Sequence, residues 1–417
     1  MKKVREGYKM TELGDIPIEW EIKKLGDICD VRKEKFNPIE RVNAKYIALE
    51  HIEQCTGKVN GVGNSDEATS MKTKFKKGDI LFGKLRPYLR KFWVADFDGV
   101  CATEILPLYI KHNDNSQFCF YIVQQDKFIE YTNQSSFGTK MPRTSWNDMK
   151  EFILPVPTLW EQQQVSLILT SVDEKIENTD KLIEKTKELK KGLMQRLLTK
   201  GIGHDKFKDT EIGRIPEEWG VDKIKDLNSF CSNGFVGTAS PFYTEDNGGT
   251  PYLMSNNVRA NKIDERTLVK ISKEFKQQYP RSTIYEGDML TVQSGHIGTS
   301  CVVPERYNNT NCHALIITRF NKTEIDPLFI SYYINSTLGF SRLSNIFVGT
   351  TIKHVNVKDL IQFYVPVPHL KEQKQISLIL SAVDEKIDQY ESKKEKLQEL
   401  KKGLMQKLLT GKIRVNV

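Results

Sequence analysis

Two short groups in this 417-residue chain have the residue types that hydrolytic enzymes use. Asp173-Glu174-Lys175, which recurs as Asp384-Glu385-Lys386, has the composition of a nuclease's acidic residues and lysine. Ser294-Gly295-His296 pairs a hydroxyl nucleophile with a base. The acidic groups lie in the middle of predicted helices, and no nucleophile-elbow motif surrounds the serine. We therefore interpret the acidic groups as residues of a helix surface or of a partner contact.

The sequence lacks the motifs that bind nucleotides, cofactors or metals. There is no Gly-x-x-x-x-Gly-Lys-Ser/Thr motif, no glycine-rich fingerprint after a strand and no Asn/Asp-Pro-Pro-aromatic motif of amino-methyltransferases. The seven histidines form no His-x-x-x-His pair, and the seven cysteines form no Cys-x-x-Cys pair. We predict that the chain has no catalytic, cofactor or metal site of its own.

Composition indicates a globular protein of more than one core. Hydrophobic residues make up 39% of the chain, and the net charge of +8 fits a nucleic-acid partner without requiring one. The charged N-terminus does not have the form of a signal peptide, and no run of 18 apolar residues occurs. The odd number of cysteines favours reduced thiols. These features predict a cytoplasmic protein that does not enter a membrane.

An internal repeat is the strongest pattern in the sequence. EQQQVSLILTSVDEKI (161–176) and EQKQISLILSAVDEKI (372–387) differ at only four of their 16 positions, and KKGLMQRLLT (190–199) matches KKGLMQKLLT (401–410) at the same offset of 211. TELGDIPIEW (11–20) corresponds to TEIGRIPEEW (210–219). The chain therefore has the order domain, helix, domain, helix.

The elements that position any site follow from this order. Apolar residues at steps of three and four predict two long amphipathic helices with coiled-coil character, one with the stripe Val165, Leu169, Val172, Ile176, Ile183, Leu189, Leu193 and Leu197. Short β-like runs at 45–50, 79–82, 92–95 and 104–110, with a helix over 118–131, predict α+β domains. We predict a first domain over 1–157, a central helix over 158–200, a second domain over 201–368 and a distal helix over 369–411.

This combination resembles the specificity subunits of Type I restriction–modification systems. In the domains, the resemblance rests on the GDIPIEW and GRIPEEW sequences and on the Gly78-Asp79 and Gly287-Asp288 strands. In the helices, it rests on the Pro-x-Pro, Glu-Gln and Asp-Glu-Lys-Ile positions and on the KKGLMQ endings. It spans nearly the whole chain, twice. The four-residue tandem repeats that some members carry between the domains are not evident here.

The resemblance implies a subunit without catalysis that binds double-stranded DNA. Each target-recognition domain would read one half of a bipartite, asymmetric site, and the helices would pack as an antiparallel coiled coil with pseudo-twofold symmetry and set the spacer. Two methyltransferase subunits would bring S-adenosylmethionine and methylate adenine, and motor–nuclease subunits would use ATP and Mg. A pseudo-twofold pair of domains also suits the dyad of a duplex.

Candidate DNA-contacting residues lie where the two copies differ. After the shared Gly-Asp strand, the first copy offers donors suited to guanine edges and phosphates, and the second offers mostly neutral groups. These candidates are Lys84, Arg86, Tyr88, Arg90 and Lys91 in the first copy and Gln293, Ser294, His296 and Thr299 in the second. An ordinary β-turn is the alternative interpretation.

A second pair of segments shares a Gly-Thr turn. Gly138-Thr139 and Gly349-Thr350 predict tight loops whose amides and hydroxyls could hold phosphate. The candidates here are Thr139, Lys140 and Arg143 in the first copy and Thr350, Thr351, Lys353 and His354 in the second. A purely structural loop is the alternative. For the whole chain, the competing hypotheses are a silent copy without a working partner and a coiled-coil scaffold whose domains bind proteins.

Overall fold

The structure, a computed structural model, describes residues 5–37, 44–65, 70–111, 114–349 and 353–415. The chain forms two compact units, one of residues 1–180 with 392–417 and one of residues 181–391. The boundaries fall inside two long helices, Leu159–Lys200 and Leu370–Leu408. Each unit therefore contains one globular domain and part of both helices.

The first unit is built from short strands and from helices that precede the first long helix. Its strands are β1 (Tyr8–Thr11), β2 (Gly14–Pro17), β3 (Glu21–Lys24), β4 (Cys29–Val31), β5 (Lys35–Phe36), β6 (Lys45–Ile47), β7 (Gly63–Asn64), β8 (Lys72–Phe75), β9 (Ile80–Gly83), β10 (Phe92–Val94), β11 (Gly99–Cys101), β12 (Ile105–Ile110) and β13 (Ile153–Val156). Its helices are α1 (Leu25–Ile28), α2 (Ser116–Gln124), α3 (Asp126–Gln134), α4 (Trp146–Met149) and the first part of α5 (Leu159–Lys200).

Two sheets form the body of the first unit, with strand orders β10-β9-β12-β4 and β5-β8-β11-β6-β7. Strand β9 is apolar throughout because both of its faces are buried. Ile80 and Phe82 pack into a core with Phe128 of α3, whereas Leu81 packs into a second core with Trp93. The strand thus supports both sides of the domain.

The second unit repeats this construction. Its strands are β14 (Phe207–Thr210), β15 (Gly213–Pro216), β16 (Gly220–Lys223), β17 (Asn228–Asn233), β18 (Thr250–Leu253), β19 (Val258–Arg259), β20 (Lys262–Ile263), β21 (Val269–Ile271), β22 (Thr283–Ile284), β23 (Met289–Val292), β24 (Ser300–Val302), β25 (Thr310–Cys312), β26 (Leu315–Phe320) and β27 (Tyr364–Val367). Its helices are α6 (Ile224–Leu227), α7 (Lys273–Gln278), α8 (Pro327–Asn335), α9 (Thr337–Leu343), α10 (Val357–Leu360) and the first part of α11 (Leu370–Leu408).

The sheet order shows the duplication directly. The order β17-β26-β23-β24 in the second unit matches β4-β12-β9-β10 in the first. Strand β23 also divides its side chains between two cores, with Met289 in one and Leu290 in the other. The predicted duplicated α+β architecture is confirmed.

Some predicted elements differ in detail from the structure. The helix predicted over 118–131 is two helices, because Gln125 adopts an extended conformation with ψ 142° between α2 and α3. Leu189, which the sequence placed on the apolar stripe of α5, is 55% exposed. It lies six residues after Ile183, so it falls outside the three- and four-residue steps that keep side chains on one helix face.

The repeated tryptophan and glutamate contact each other in each unit. In the first unit the buried Trp20 indole donates to Glu161 Oε2 at 2.8 Å, and Arg414 Nη2 donates to the same oxygen at 3.0 Å. In the second unit Trp219 Nε1 donates to Glu372 Oε2 at 3.0 Å. The sequence that opens each domain is therefore anchored to the first turn of the helix that follows the domain.

Helices α5 and α11 run in opposite directions within each unit, as predicted. In the first unit, Asp173 pairs with Lys401 at 2.7 Å, and Asp180 pairs with Lys394 at 2.6 Å. Residue numbers rise along α5 while they fall along α11, so the packing is antiparallel. The second unit has ion pairs of the same direction, Lys187–Glu391 and Lys190–Asp384.

The repeated Gly-Asp strands each present a buried carboxylate to an arginine. Asp79 accepts hydrogen bonds from Arg32 and from the Lys76 amide. Asp288 accepts two hydrogen bonds of 2.7 Å from Arg319. Arg32 follows β4 whereas Arg319 lies on β26, so the same aspartate is neutralised from two different strands. The motif is a framework feature of both domains.

All seven cysteines are free thiols in the structure. Over the part of the chain that is described, no helix has both the length and the apolar character needed to cross a lipid bilayer.

Candidate nucleic-acid interface

The loop 84–91 joins the antiparallel strands β9 and β10 and has an unusual backbone. Arg86 and Arg90 have positive φ angles of 51° and 52° on either side of the 3₁₀ turn Pro87–Leu89. Such angles are uncommon for residues other than glycine. The Lys84 amide donates to the Glu104 carbonyl at 2.9 Å. The loop conformation is therefore held by the β-sheet framework beneath it.

A tight hairpin follows α3. Phe137 and Arg143 exchange backbone hydrogen bonds of 2.9 and 3.0 Å, and Gly138 at the turn has φ +93°, which favours glycine. The Arg143 guanidinium contacts Glu104 at 3.1 Å and is thereby fixed to the base of the hairpin. Thr139 and Lys140 lie exposed at its tip.

The loop and the hairpin form one surface, although they are 54 residues apart in sequence. The Arg86 amide donates to the Pro142 carbonyl at 2.8 Å, and the Thr144 amide donates to the Lys84 carbonyl at 3.1 Å. The Arg86 guanidinium reaches the Lys140 carbonyl only at 3.5 Å. The structure thus brings together the two candidate segments of the first domain.

Three candidates of the first domain already have partners within the chain. Arg90 donates to the Gln124 carbonyl at 3.2 Å and forms an ion pair with Asp126. Lys91 donates to the Leu49 carbonyl. Arg143 has the ion pair described above. These residues shape the surface, and a DNA contact by any of them remains a prediction.

The other candidates are open to an external acceptor. Arg86 is half-buried, and its Nη2 donates only a long hydrogen bond of 3.5 Å, to the Lys140 carbonyl. Lys84 is half-buried, Lys140 is exposed, and the Tyr88 side chain is exposed on the 3₁₀ turn. A guanidinium on a loop that also carries Lys84 and adjoins Lys140 is suited to bind phosphate or a guanine edge.

The second domain uses the same backbone frame, meaning the same hydrogen-bonded arrangement of the loop and the segment that adjoins it. The Val355 amide donates to the Gln293 carbonyl at 3.1 Å, which reproduces the contact between Thr144 and Lys84. Ser294 and His296 are exposed, and Thr299 is half-buried on this turn. Each domain thus presents a loop of different composition from the same position.

The backbone pairing at the base of the first hairpin recurs in the second domain. Val348 and His354 exchange two backbone hydrogen bonds of 2.9 Å, and Lys353 is exposed beside them. Thr350 and Thr351, the predicted phosphate-holding residues of this hairpin, lie outside the described residues. The same backbone pairing therefore occurs at the equivalent point of both domains.

The two surfaces differ in charge. The first carries Lys84, Arg86 and Lys140, whereas the loop of the second carries the neutral Gln293 amide in place of a lysine. Arginine and lysine favour guanine, and glutamine favours adenine, in the major groove. Equivalent frames with different donors and acceptors can distinguish different base sequences.

Sequence reasoning overlooked two residues at these surfaces. Phe137 is 73% exposed at the base of the first hairpin. Asn233 accepts a hydrogen bond of 2.8 Å from Gln293 and fixes the orientation of that amide. A phenylalanine directly before a Gly-Thr turn is a signal that could have identified the first. The second could not be found, because its contact depends on sheet pairing.

The acidic groups of the long helices form contacts that hold the helices. Asp173 accepts a hydrogen bond of 2.9 Å from the Tyr121 hydroxyl in addition to its ion pair with Lys401. Burial, with a contribution from Asp173, raises the pKa of Tyr121, so the phenol remains a donor. The equivalent set in the second unit is Asp384, Tyr332 and Lys190. No cluster of histidine, cysteine and carboxylate side chains suited to a metal ion occurs among the residues described.

Comparison with known proteins gives relatives that match this chain over nearly all of its residues. The chain is 30% identical over 98% of its length to a Methanocaldococcus jannaschii protein named as the specificity subunit of the type I restriction enzyme MjaX, of which 97% is covered. It is 26% identical to the MjaVIII specificity subunit of the same organism, over 98% of this chain and 96% of that one.

The fold is also shared. The crystal structure of a Type I restriction–modification S subunit from M. genitalium superposes with a TM-score of 0.61 at 16% identity, over 98% of each chain. The family model described as the Type I restriction modification DNA specificity domain matches twice, at residues 17–188 and 216–402. The two matches contain the two surfaces described above, and this chain belongs to the family of Type I restriction–modification DNA specificity proteins.

Proposed function

We propose that this chain is the DNA-reading subunit of a Type I restriction–modification complex, with each domain reading one half of a bipartite, asymmetric site. One observation carries the proposal: two equivalent backbone frames present different side chains, with Lys84 and Arg86 in one and Gln293 in the other. A protein that reads two unlike half-sites needs such a pair of frames. Methylation and cleavage would belong to partner subunits in the cytoplasm.

Reciprocal substitutions test this proposal. The recognised motif is first obtained by sequencing methylated adenines in the host genome. Arg86→Ala should then relax one half-site, and Gln293→Ala should relax only the other, because a bidentate base contact contributes about 1–3 kcal/mol of discrimination. Each variant is the control for the other. Binding of the assembled complex to DNA with single changes in either half-site is the measurement.

Two other outcomes of this experiment are informative. An equal loss of binding by Arg86→Ala on every sequence would mark Arg86 as a phosphate contact. The slope of log K against log salt should then be smaller by about 0.9 for this variant than for the wild type. If DNA binding by the wild-type complex does not weaken as salt is added, the proposal is overturned and a scaffold that binds proteins is favoured.

The helices would provide two equivalent docking surfaces for two methyltransferase subunits. The exposed leucines Leu167 and Leu378 occupy the same repeat position, as do Leu189 and Leu400. Exposed apolar residues conserved between the two halves, while the reading loops diverge, fit a partner present in two copies. S-adenosylmethionine would be bound by these partners, and ATP and Mg by motor–nuclease subunits.

The stoichiometry of the complex tests the docking surfaces. Leu167→Asp or Leu378→Asp alone should each lower the number of bound methyltransferase subunits from two to one, and the double variant should bind none. Native mass spectrometry gives the count. The matched control is Met10→Asp, another exposed apolar residue of the first unit. Two bound subunits in the double variant would contradict this assignment.

The isolated chain should neither methylate nor cleave DNA, because the cofactor and nuclease motifs are missing from the sequence. Incubation of the highly purified chain with S-adenosylmethionine and DNA is the measurement. Transfer of a methyl group without a second protein would contradict the proposal.

A further inference from the structure

Phe137 places a large apolar side chain on the surface of the first hairpin. Its side chain is 73% exposed, and Met141 on the same hairpin is also exposed. Single exposed apolar residues are common on protein surfaces. Phe137 differs because its neighbours on the surface are basic: Lys140 lies at the hairpin tip, and Lys84 and Arg86 lie on the adjoining loop.

The hairpin holds this ring on a fixed support. Two backbone hydrogen bonds join Phe137 to Arg143, and the Arg143 side chain is bound to Glu104 and to the Met141 carbonyl at 3.1 Å each. A backbone held in this way loses little conformational freedom when the hairpin binds, so less of the contact energy of the ring is spent on ordering the hairpin.

The position of the ring relative to the reading loop follows from the β-bridges. Arg143 forms bridges with both Leu85 and Phe137, so the three backbones lie side by side. At about 4.8 Å between neighbouring strands, Phe137 lies roughly 10 Å from the backbone that carries Arg86. That distance corresponds to about three base steps of 3.4 Å along a duplex.

We propose that Phe137 is an apolar wedge that stacks against an unstacked base in the half-site read by the first domain. The inference rests on the proposed function and adds to it a residue that deforms the DNA. Basic side chains on the adjoining segments would bind the phosphates, and the ring would enter between bases, as apolar wedges of DNA-bending proteins do. A protein partner fits this patch less well, because the surrounding charge is positive and favours an anionic duplex.

The wedge would act on one half-site only. The equivalent residue of the second hairpin is Val348, held by the same pair of backbone hydrogen bonds to His354. Valine has no aromatic face, so it cannot stack on a base. The duplicated frame would therefore unstack the DNA at one end of the site and leave the other end stacked.

Fluorescence of 2-aminopurine tests the wedge. The base analogue replaces each adenine of the recognised site in turn, and fluorescence is measured with the complex of this chain and its methyltransferase. We expect the fluorescence to rise, because the base analogue is unstacked, at a position within the half-site that Arg86→Ala relaxes. Phe137→Ala should abolish this rise and weaken binding roughly tenfold, as expected for the loss of one stacked base. Phe137→Trp should keep both.

The controls separate the possible failures. Met10→Ala removes a comparably exposed apolar side chain away from the hairpin and should leave the fluorescence as in the wild type. A signal that arises because the methyltransferase flips its target base should persist in Phe137→Ala. An unchanged fluorescence pattern in Phe137→Ala, or loss of methyltransferase binding by this variant, would overturn the wedge. Absence of salt-sensitive DNA binding by the wild-type complex would instead overturn the proposed function.

Discussion

The ion pair between the long helices gives a quantitative test of how the first unit is held together. Lys401 Nζ lies 2.7 Å from Asp173 Oδ1, and the two side chains are 15% and 35% exposed. Surface pairs contribute about 0.2–1 kcal/mol, whereas breaking a buried pair costs about 3–5 kcal/mol. A half-buried pair with an added hydrogen bond from Tyr121 should fall between these limits. We expect a coupling free energy of about 1–2 kcal/mol.

A double-mutant cycle isolates this coupling. Asp173→Asn keeps an oxygen that can accept from Tyr121 but removes the charge, and Lys401→Met keeps most of the aliphatic chain. The free energy of unfolding is measured in urea for the wild type, both single variants and the double variant. Each single variant should destabilise the first unit, and the double variant should lose less than the sum of the two.

Local measurements sharpen the test. Hydrogen exchange of the α5 amides around Asp173 should become faster in the single variants. Amides in the second unit, where Asp384 pairs with Lys190, are the internal control. Additive losses within about 0.3 kcal/mol would refute the reasoning, because independent residues behave in that way. Hydrogen exchange that becomes faster only in the second unit of the single variants would also refute the reasoning.

Three further predictions concern other parts of the chain. Trp20→Phe should lower the free energy of unfolding by about 1.5–3 kcal/mol in urea denaturation, because a hydrogen bond to the charged Glu161 is lost; an unchanged midpoint would contradict this. Iodoacetamide at pH 8 should label the exposed Cys55 and spare the buried Cys301, because burial raises the pKa of the Cys301 thiol to about 12. Mass spectrometry after partial labelling shows the order. Four residues inserted after Ile183 add about 6 Å of helix and should lengthen the DNA spacer by about one or two base pairs. An active variant that methylates the original motif would show that another element sets the spacer.

The sequence repeat predicts most of the architecture, because duplication is visible in residue identities. The equivalence of Trp20 with Trp219 and of Glu161 with Glu372 follows directly from alignment of the two halves. The contact between them does not, because it joins residues 141 positions apart in the first unit. The break at Gln125 also carries no proline or glycine that would predict it.

The candidate surface shows the same limit. Each segment could be proposed separately from its composition, but their union depends on the bridge between Leu85 and Arg143. The pairing of Arg90 with Asp126 likewise depends on where α3 begins. Charge patterns alone cannot distinguish an arginine that forms an ion pair within the chain, such as Arg90, from one for which no ion pair is found among the described residues, such as Arg86.

The division of the first unit into two distant segments has a consequence for biosynthesis. Its core contains Val165 and Leu169 from the first segment and Leu408 and Leu409 from the second segment. At roughly 5–20 residues per second, about 10–50 s of synthesis separate these parts. The second unit, residues 181–391, is continuous and is complete earlier. The first domain is therefore completed after the second, and a nascent chain that stops before Leu408 lacks part of the core of the first domain rather than of the second.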